Sequence, residues 1–490
     1  MRIDYILITK YRIIGSHIGF VLFLIGLLTL TPLLILFFFP EELHFSMAFI
    51  APAVLLMASG GLLYRWFRDV RSQPLLTHEA GIIVLFAWIS AFIFSAFPFM
   101  KVLSLSFPLA LFESVSAWTT TGLSVVDVTG APRIILLWRS IMQLAGGAGF
   151  AIMMIAALTG VAGAGLSEAE GRSDQLIPQV RRSAQMVLLI YTAYLVFGVS
   201  AYILVGMSLF DAVNHTFSAI STGGFSTHVE SVGFWDSAKI EGITIILMIL
   251  GNLNFVSAYL LIRFRFRSFF RNGEIRIFAV LIILASLILF FSTATSLYPL
   301  LSKSIRVSIF EITSALTTTG FSTVSYTPWN DCGIIVLIIL MLIGGGTCST
   351  AGGIKQYRVY LLLKAIGWEI HRMLSPANAI SQPYIRESDR KTYISDRQIK
   401  TVSLFFFIYI MVYLCGSLVL STTGIPLREA FFEFASALGT VGLSVGVTSV
   451  NMSPVVLWTE ITGMFLGRLE FFIIIVSIVK LSKDIPKSSR

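Results

Sequence analysis

Charge is scarce in this chain of 490 residues, of which 12% are charged and 56% are hydrophobic. A soluble domain usually has about a quarter of its residues charged. Mean hydropathy is +0.86. The composition therefore excludes an ordinary soluble globule and indicates an integral membrane protein.

Cysteine and histidine are also scarce. The three cysteines, Cys332, Cys348 and Cys415, are too widely spaced for a redox pair or a zinc site. The six histidines show no metal-ligand spacing. Gly442 to Gly446 matches the nucleophile-elbow pattern of serine hydrolases, but the soluble α/β sheet that this motif requires is missing. Gly160 to Gly165 is rich in glycine but has no Walker lysine, so nucleotide binding is weakly supported. We expect neither an enzyme nor an organic cofactor in this chain.

Long apolar stretches are abundant instead. Because a bilayer core of about 30 Å needs about 20 apolar residues per helix, spans are predicted near 13–39, 45–64, 79–98, 133–160, 184–207, 239–262, 275–297, 401–421 and 455–480, with a tenth, interrupted span starting at Gly333. No small-residue cleavage site follows the first stretch, so we expect a transmembrane helix there and not a signal peptide.

The basic residues are distributed asymmetrically. If Met1 is cytoplasmic, 27 of the 35 lysines and arginines fall on the cytoplasmic side, in residues 2–12, 65–71, 172–182, 263–276, 355–400 and 480–490. Lysine and arginine asymmetry sets membrane orientation. The net charge of +9 is thus explained by topology, and no nucleic-acid partner is expected.

One pattern, Ser-Ala-x-x-x-x-Gly-[Leu/Phe]-Ser, occurs four times, at 116–124, 218–226, 314–322 and 436–444. The glycines are 102, 96 and 122 residues apart, too far for a solenoid repeat. Each copy follows an apolar segment too short to span the bilayer, at 108–118, 209–220, 305–316 and 427–438. Irregular backbone at membrane depth is tolerated only inside protein or beside a watery cavity, so the copies predict re-entrant helices meeting on a pore axis.

The predicted fold is therefore an all-α integral membrane protein with pseudo-fourfold symmetry. Each unit consists of a helix, a re-entrant pore helix, a filter segment and a second helix. The predicted boundaries are 1–70 for an extra N-terminal helix pair, then 71–170, 171–270, 271–398 and 399–490 for pore units 1 to 4.

The four segments that end in glycine are the candidate selectivity filter. Rings of backbone carbonyls can replace the hydration shell of a cation, and glycine lets backbones approach closely. The absence of carboxylates argues against a site for divalent ions, so a monovalent cation is predicted. The alternative for a single copy is close packing of small residues between helices. The candidate residues are Thr119, Thr120, Thr121, Gly122, Ser221, Thr222, Gly223, Gly224, Thr317, Thr318, Thr319, Gly320, Gly439, Thr440, Val441 and Gly442.

A second repeated feature lies nine residues before each glycine, where the chain has Glu113, His215, Glu311 and Glu433. These side chains either anchor the short helix to its neighbours or attract cations. Anchoring is the interpretation we favour.

The tenth span has only ten apolar residues, Ile334 to Ile343, before a glycine-rich segment. Discontinuous helices at membrane depth often mark an ion path, so a gate is predicted at Gly344, Gly345, Gly346, Thr347, Cys348, Ser349, Thr350, Ala351, Gly352 and Gly353. The alternative is a packing kink.

Arg468 belongs to the same predicted gate, although it lies in the last apolar span. A central arginine costs about 2.5 to 3.5 kcal/mol in a membrane, so it should face the pore or protein. Partnership with the gate's carbonyls is one possibility. An ion pair with Glu470 is another, but residues two apart do not share a helix face.

In combination, the four single-glycine filters, Gly344 to Gly353 followed by Ile354-Lys355, and Gly467-Arg468 resemble the potassium-translocating subunits of Trk-type uptake systems, in the superfamily of Ktr and plant HKT transporters. Ten spans favour the Trk branch over the eight-span Ktr branch. Serine at the first filter glycine tends to accompany sodium transport in this superfamily, so four glycines imply that potassium binds at the filter.

The resemblance also implies a bacterial inner-membrane protein with cytoplasmic termini. It implies a homodimer in which each protomer has its own pore, docked on a cytosolic ring that binds nucleotides. The basic segments 263–276 and 355–400 are candidate docking surfaces. One departure is Gly223, a second glycine expected to loosen its quarter of the filter. A sodium- or proton-coupled symporter and a non-conducting scaffold or sensor remain as alternatives.

Overall fold

The computed structural model describes residues 2–67, 77–149, 180–347, 349–376, 382–387, 390–469 and 471–484. Within these ranges, six helical stretches are long and apolar enough to cross a membrane: Lys10–Phe37, Pro40–Trp66, Gly81–Val102, Gln185–Leu204, Gly273–Leu297 and Asp396–Thr422. The all-α membrane fold predicted from the sequence is confirmed.

The first two of these stretches are the extra pair, helices α1 (Arg2–Thr29) and α2 (Ser46–Trp66), joined by two 3-10 turns. They pack closely through Gly19 and Gly60, because a Cβ on either residue would come within 3.0 Å of the other's carbonyl oxygen. Glu42, between the two helices, accepts hydrogen bonds of 2.8 Å from the backbone N–H groups of Arg133 and Ile134. A carboxylate from the extra pair thus caps a helix that follows the first glycine motif.

A pattern of long helix, short helix and second helix then recurs four times. The long helices are α3 (Thr77–Val102), α6 (Val180–Leu204), α11 (Gly273–Leu289) and α15 (Asp396–Thr422). The short ones are α4 (Phe107–Trp118), α7 (Leu209–Ile220), α12 (Leu301–Leu316) and α16 (Leu427–Gly439). The predicted short segments agree with these bounds, except that α12 begins four residues earlier.

The second helices are α5 (Arg133–Leu144), α8 (Ala238–Asn252), α13 (Asp331–Ile343) and α17 (Pro454–Arg468). Each of them is interrupted. A π turn, Ala145–Gly149, follows α5, whereas α8, α13 and α17 are followed by separate helices α9 (Phe255–Ile262), α14 (Gln356–Leu374) and α18 (Phe471–Asp484). The sequence predicts a break only after α13, so the continuous spans predicted at 239–262 and 455–480 are wrong.

The extra breaks have a common physical setting. A Cβ on Gly146, Gly251 or Gly467 would collide with the carbonyl oxygen four residues before the motif glycine, on Trp118, Ile220 or Leu438. The second helix therefore lies against the end of the short helix, backbone to backbone. After α8, the side chain of Asn254 caps α9 by accepting a 2.7 Å hydrogen bond from the N–H of Ser257.

Between the units, a short helix α10 (Phe266–Arg271) precedes α11, and a hairpin of β1 (Tyr384–Glu387) and β2 (Arg390–Tyr393) precedes α15. The hairpin is antiparallel, with Tyr384 opposite Tyr393. It packs on α14 through Leu361, Ile385 and Ile394. The glycine-rich stretch 160–165 and the basic segment 172–179 fall outside the described residues.

Candidate functional site

The four short helices end in the same way. Each is followed by a left-handed threonine two residues before the motif glycine, with φ between 49° and 56°, at Thr120, Thr222, Thr318 and Thr440. The next N–H bonds back to the carbonyl of the motif serine, over 2.8 to 3.0 Å. This 6→1 bond is a Schellman cap. A β-branched residue is strained at positive φ, so the surrounding structure must hold these threonines in place.

Beyond the caps, the motif glycines form a closed ring. All four have positive φ, between 72° and 97°. A Cβ on Gly122 would collide with the carbonyl of Gly223, one on Gly224 with that of Thr319, one on Gly320 with that of Val441, and one on Gly442 with that of Thr121. Each glycine thus abuts the carbonyl that precedes the glycine of the next unit. The chain returns to unit 1 after unit 4.

One side of the ring opens into a cavity of about 650 Å³. Its lining includes all four glycines and the four serines that end the motifs, Ser124, Ser226, Ser322 and Ser444. We call this cavity the vestibule. The ring is therefore accessible from one side to a small polar species.

The residues nine positions before the glycines are fully buried and bind the segment that follows the ring. Glu311 accepts from the N–H and hydroxyl of Thr323, at 2.9 and 2.7 Å. Glu433 accepts from the hydroxyl of Ser444 at 2.6 Å and from the N–H of Thr448 at 3.0 Å. These contacts support anchoring, the role favoured from the sequence, although the anchored element is the irregular segment that follows the glycine.

His215 serves unit 2 in the same way. Its Nε2 lies 2.9 Å from the hydroxyl of Ser226, and its Nδ1 lies 2.9 Å from the carbonyl of Asp211. The imidazole thus replaces the carboxylate of the other units while binding the serine at the matching position.

In unit 1 the carboxylate has a cationic partner. Arg139, the seventh residue of α5, donates from Nε to Glu113 at 2.7 Å and from Nη2 to the hydroxyl of Ser124 at 2.8 Å. Its guanidinium also lies 3.9 Å from the ring centroid of Phe225. Arg139 therefore joins the segments that follow the glycines of units 1 and 2. The seventh residue of α17 is Glu460, which contacts Glu433 through the hydroxyl of Thr448, at 3.0 and 2.6 Å.

Gly223 does not leave its quarter of the ring loose. The side-chain amide of Gln143 fills the space that a Cβ would occupy at this position. Gln143 donates to the carbonyl of Gly223 at 2.5 Å and accepts from Ser218 at 2.6 Å. The missing side chain is thus replaced by one from α5, and the loosening expected from the sequence is wrong.

The break segment 344–353 lies on the side of the ring opposite the vestibule. The hydroxyl of Thr350 is 3.1 Å from that of Thr222, and the N–H of Gly352 donates to the hydroxyl of Thr318 at 2.7 Å. A Cβ on Gly352 would also collide with Thr440. Three of the four threonines with left-handed backbone therefore touch the described part of this segment. Of the predicted gate residues, Cys348 lies outside the described residues.

Arg468 contacts the same segment. It donates to the carbonyl of Thr350 at 2.5 Å, and also to the carbonyls of Gly146 and Gly147 at 2.6 and 3.1 Å. The half-buried guanidinium thus joins the π turn of unit 1 to the break of unit 3. The alternative partner, Glu470, lies outside the described residues.

Sequence reasoning missed Arg139, Gln143 and the shared position of the four threonines. The threonines have a visible signal, because all four motif copies carry threonine two residues before the glycine. Gln143 has none, since it contacts Gly223, 80 positions away along the chain. Arg139 has none either, since it joins Glu113 to Ser226, which lies 87 positions from it along the chain.

Comparison with known proteins shows the family to which this chain belongs. The family model described as TrkH, a cation transport protein, matches residues 45–487. The Trk system potassium uptake protein TrkG of Escherichia coli is 30% identical over 480 residues, which cover 95% of this chain and 97% of TrkG. The corresponding TrkH of Halomonas elongata is 30% identical over 481 residues, 95% of this chain and 98% of that protein.

A solved structure is also similar. The crystal structure of the potassium transporter TrkH from Vibrio parahaemolyticus superposes with a TM-score of 0.81 at 26% sequence identity. The match covers 96% of this chain and 98% of that one.

The buried pair of Glu113 and Arg139 generates a stability prediction. Removing one member leaves the other charge buried without its partner, at a cost of about 3–5 kcal/mol. We expect Glu113→Ala and Arg139→Ala each to lower the unfolding temperature strongly, and the double variant to lose much less than the sum. Thermal unfolding of the purified protein in detergent measures both effects.

Glu41→Ala is the matched control, because Glu41 pairs at 4.0 Å with Arg133 and both side chains are exposed. It should change the unfolding temperature little. Additive losses for Glu113→Ala and Arg139→Ala would contradict coupling between the two side chains.

Proposed function

We propose, from the premise that this chain belongs to the TrkH family of cation transport proteins, that it takes potassium up across the inner membrane through a gated filter of backbone carbonyls. The chain is a multi-pass membrane transporter of the Trk potassium uptake class, not an enzyme. The finer proposal concerns which residues select the ion and which close the path.

The closed ring of four glycines carries the proposal for the filter. Four backbones that approach without side chains bring their carbonyl oxygens around one axis, where they can replace the water around a cation. The carbonyl ends of four short helices also point toward this ring and contribute partial negative charge. We assign the filter to residues 119–122, 221–224, 317–320 and 439–442, with potassium as the bound ion.

For the gate, we assign residues 344–353 and Arg468. Thr350 and Gly352 form hydrogen bonds to filter threonines. These bonds support the assignment of this segment as the one that blocks the path directly beneath the filter. The positive charge of Arg468 opposes cation passage at the same depth. Opening then requires the segment to leave the threonines and Arg468 to release its carbonyl partners.

The assembly follows from the family resemblance. We propose a homodimer with one pore per protomer, cytoplasmic termini and docking of a cytosolic nucleotide-binding ring on the basic segments 263–276 and 355–400. The repeated pattern of helices supports the division into an extra pair at 1–70 and pore units at 71–170, 171–270, 271–398 and 399–490.

Ion flux into liposomes tests the proposal. Purified protein should carry potassium and rubidium down an imposed gradient, with much slower sodium flux. Potassium flux that requires a sodium or proton gradient would show that the protein is a symporter and not a channel. No flux from any variant with a weakened gate would favour a non-conducting scaffold.

Gly320→Ser should lower the preference for potassium over sodium. A Cβ at Gly320 would collide with the carbonyl of Val441, so at least one of these two backbones must move. Overpacking costs about 1–3 kcal/mol, and about 1.4 kcal/mol corresponds to a tenfold loss of selectivity. Competition between rubidium and sodium flux measures the ratio.

Gly206→Ser is the control for backbone strain, since Gly206 has φ +98° and no atom within 4 Å of the position of a Cβ. It should leave selectivity intact. Unchanged selectivity in Gly320→Ser would argue strongly against this filter.

Arg468→Ala should raise potassium flux, because it removes both a positive charge beneath the ring and the bonds that hold Thr350. Charge-assisted hydrogen bonds contribute about 1.5–3 kcal/mol each, so an increase of about tenfold is expected. A short deletion within 344–353 should act in the same direction.

Arg428→Ala is a matched control, because Arg428 also donates to a carbonyl, that of Trp329, and pairs with Asp331 away from the break segment. Its flux should equal that of the unaltered protein. Unaltered or lower flux in a folded Arg468→Ala protein would reject the gating role.

A further inference from the structure

The break segment is held from a second direction, by residues of α8 and α11. The N–H of Thr347 donates to Oε1 of Glu274 at 2.6 Å. The N–H of Gly346 donates to the side-chain carbonyl of Asn252 at 2.8 Å. Both acceptors are almost fully buried, with 5% and 2% of their surface exposed. Neither acceptor, Glu274 nor Asn252, belongs to the motifs that carry the family resemblance in this sequence.

Glu274 is fixed in position by the break that follows α8. Its Oε2 accepts a 2.7 Å hydrogen bond from the amide of Asn254, whose carbonyl oxygen in turn caps α9 at Ser257. The N–H of Glu274 donates to Asn272 at 2.9 Å. One carboxylate therefore connects the interrupted helix of unit 2 to the break segment of unit 3.

The charges match the backbone groups that they meet. At Thr347 an N–H group faces the carboxylate of Glu274, and at Thr350 a carbonyl faces the guanidinium of Arg468. Hydrogen bonds to charged groups are stronger than those between neutral groups. The segment is thus held at two points by groups of opposite charge, Glu274 from unit 3 and Arg468 from unit 4.

We propose that Asn252, Asn254 and Glu274 form a latch that positions the break segment beneath the glycine ring, and that release of Thr347 from Glu274 is part of opening. This inference rests on the proposed gating role of residues 344–353. Glu274 is a positioning residue, since it acts through the backbone of the segment and not on the ion.

The latch also lies at the basic segment 263–276, a candidate docking surface for a regulatory partner. Glu274 is in the first turn of α11 and follows α10 after only two residues. The segment around α10 carries five arginines between positions 263 and 276. A displacement of α10 therefore changes the position of the carboxylate that binds Thr347.

Exchange of the acid and the amide tests the latch. In Glu274→Gln the new NH₂ group faces the NH₂ group of Asn254, so two donors meet without an acceptor. In Asn254→Asp the new carboxylate faces the carboxylate of Glu274, so two negative charges meet. Each change therefore weakens the latch. The double exchange restores complementarity. The introduced glutamine donates to the introduced aspartate and accepts from Thr347, and the aspartate still caps Ser257.

We expect each single variant to raise rubidium flux in liposomes about tenfold, which is equivalent to about 1.4 kcal/mol, without a change in the rubidium-to-sodium ratio. The double variant should return flux close to the original value. Asn330→Asp is the matched control, because Asn330 caps α13 at Gly333 by a similar bond of 2.9 Å far from the latch. Its flux should not change.

Single variants with unaltered flux, or a double variant as active as the singles, would overturn the latch. A loss of selectivity in the singles would likewise reject it in favour of a general structural defect. Failure of the gate itself is distinguishable, because Arg468→Ala would then also leave flux unaltered.

Discussion

The close approach of four backbones at the motif glycines is the constraint on which the rest of the structure depends. None of the four positions has room for a Cβ, since each would collide with a carbonyl of the next unit. Such an approach exposes polar backbone in the centre of a membrane protein, where every group needs a partner or water. The identical helix caps and the buried anchors of the four units satisfy this demand.

The ring is nearly symmetric, but its supports are not. A carboxylate binds the segment after the glycine in three units, and a histidine does so in the second. Within the part of the chain that the structure describes, only unit 1 pairs this carboxylate with an arginine, and only unit 2 uses the amide of Gln143. On the side opposite the vestibule, one segment from unit 3 contacts threonines of three units. The proposed ion selection can therefore be shared among the repeats, whereas the proposed closure rests on individual residues.

Much of this architecture is predictable because it is local and repeated. The motif fixes the ends of the short helices, and apolar length reveals the spanning helices. The break after α13 is visible because several glycines follow it. The breaks after α8 and α17 are not, since each is marked by a single glycine, Gly251 or Gly467, and only the close contacts of these glycines with distant carbonyls reveal the breaks. Gln143 and Glu274 escape prediction for the same reason, because their partners are 80 and 73 residues away along the chain.

The central claim is that the glycine ring holds a monovalent cation on its axis. Anomalous scattering from crystals grown in rubidium tests it most directly. The account predicts rubidium density on the axis between Gly122, Gly224, Gly320 and Gly442, which disappears when sodium replaces rubidium. Rubidium bound only elsewhere, or no density at the ring in crystals that diffract well, would contradict it.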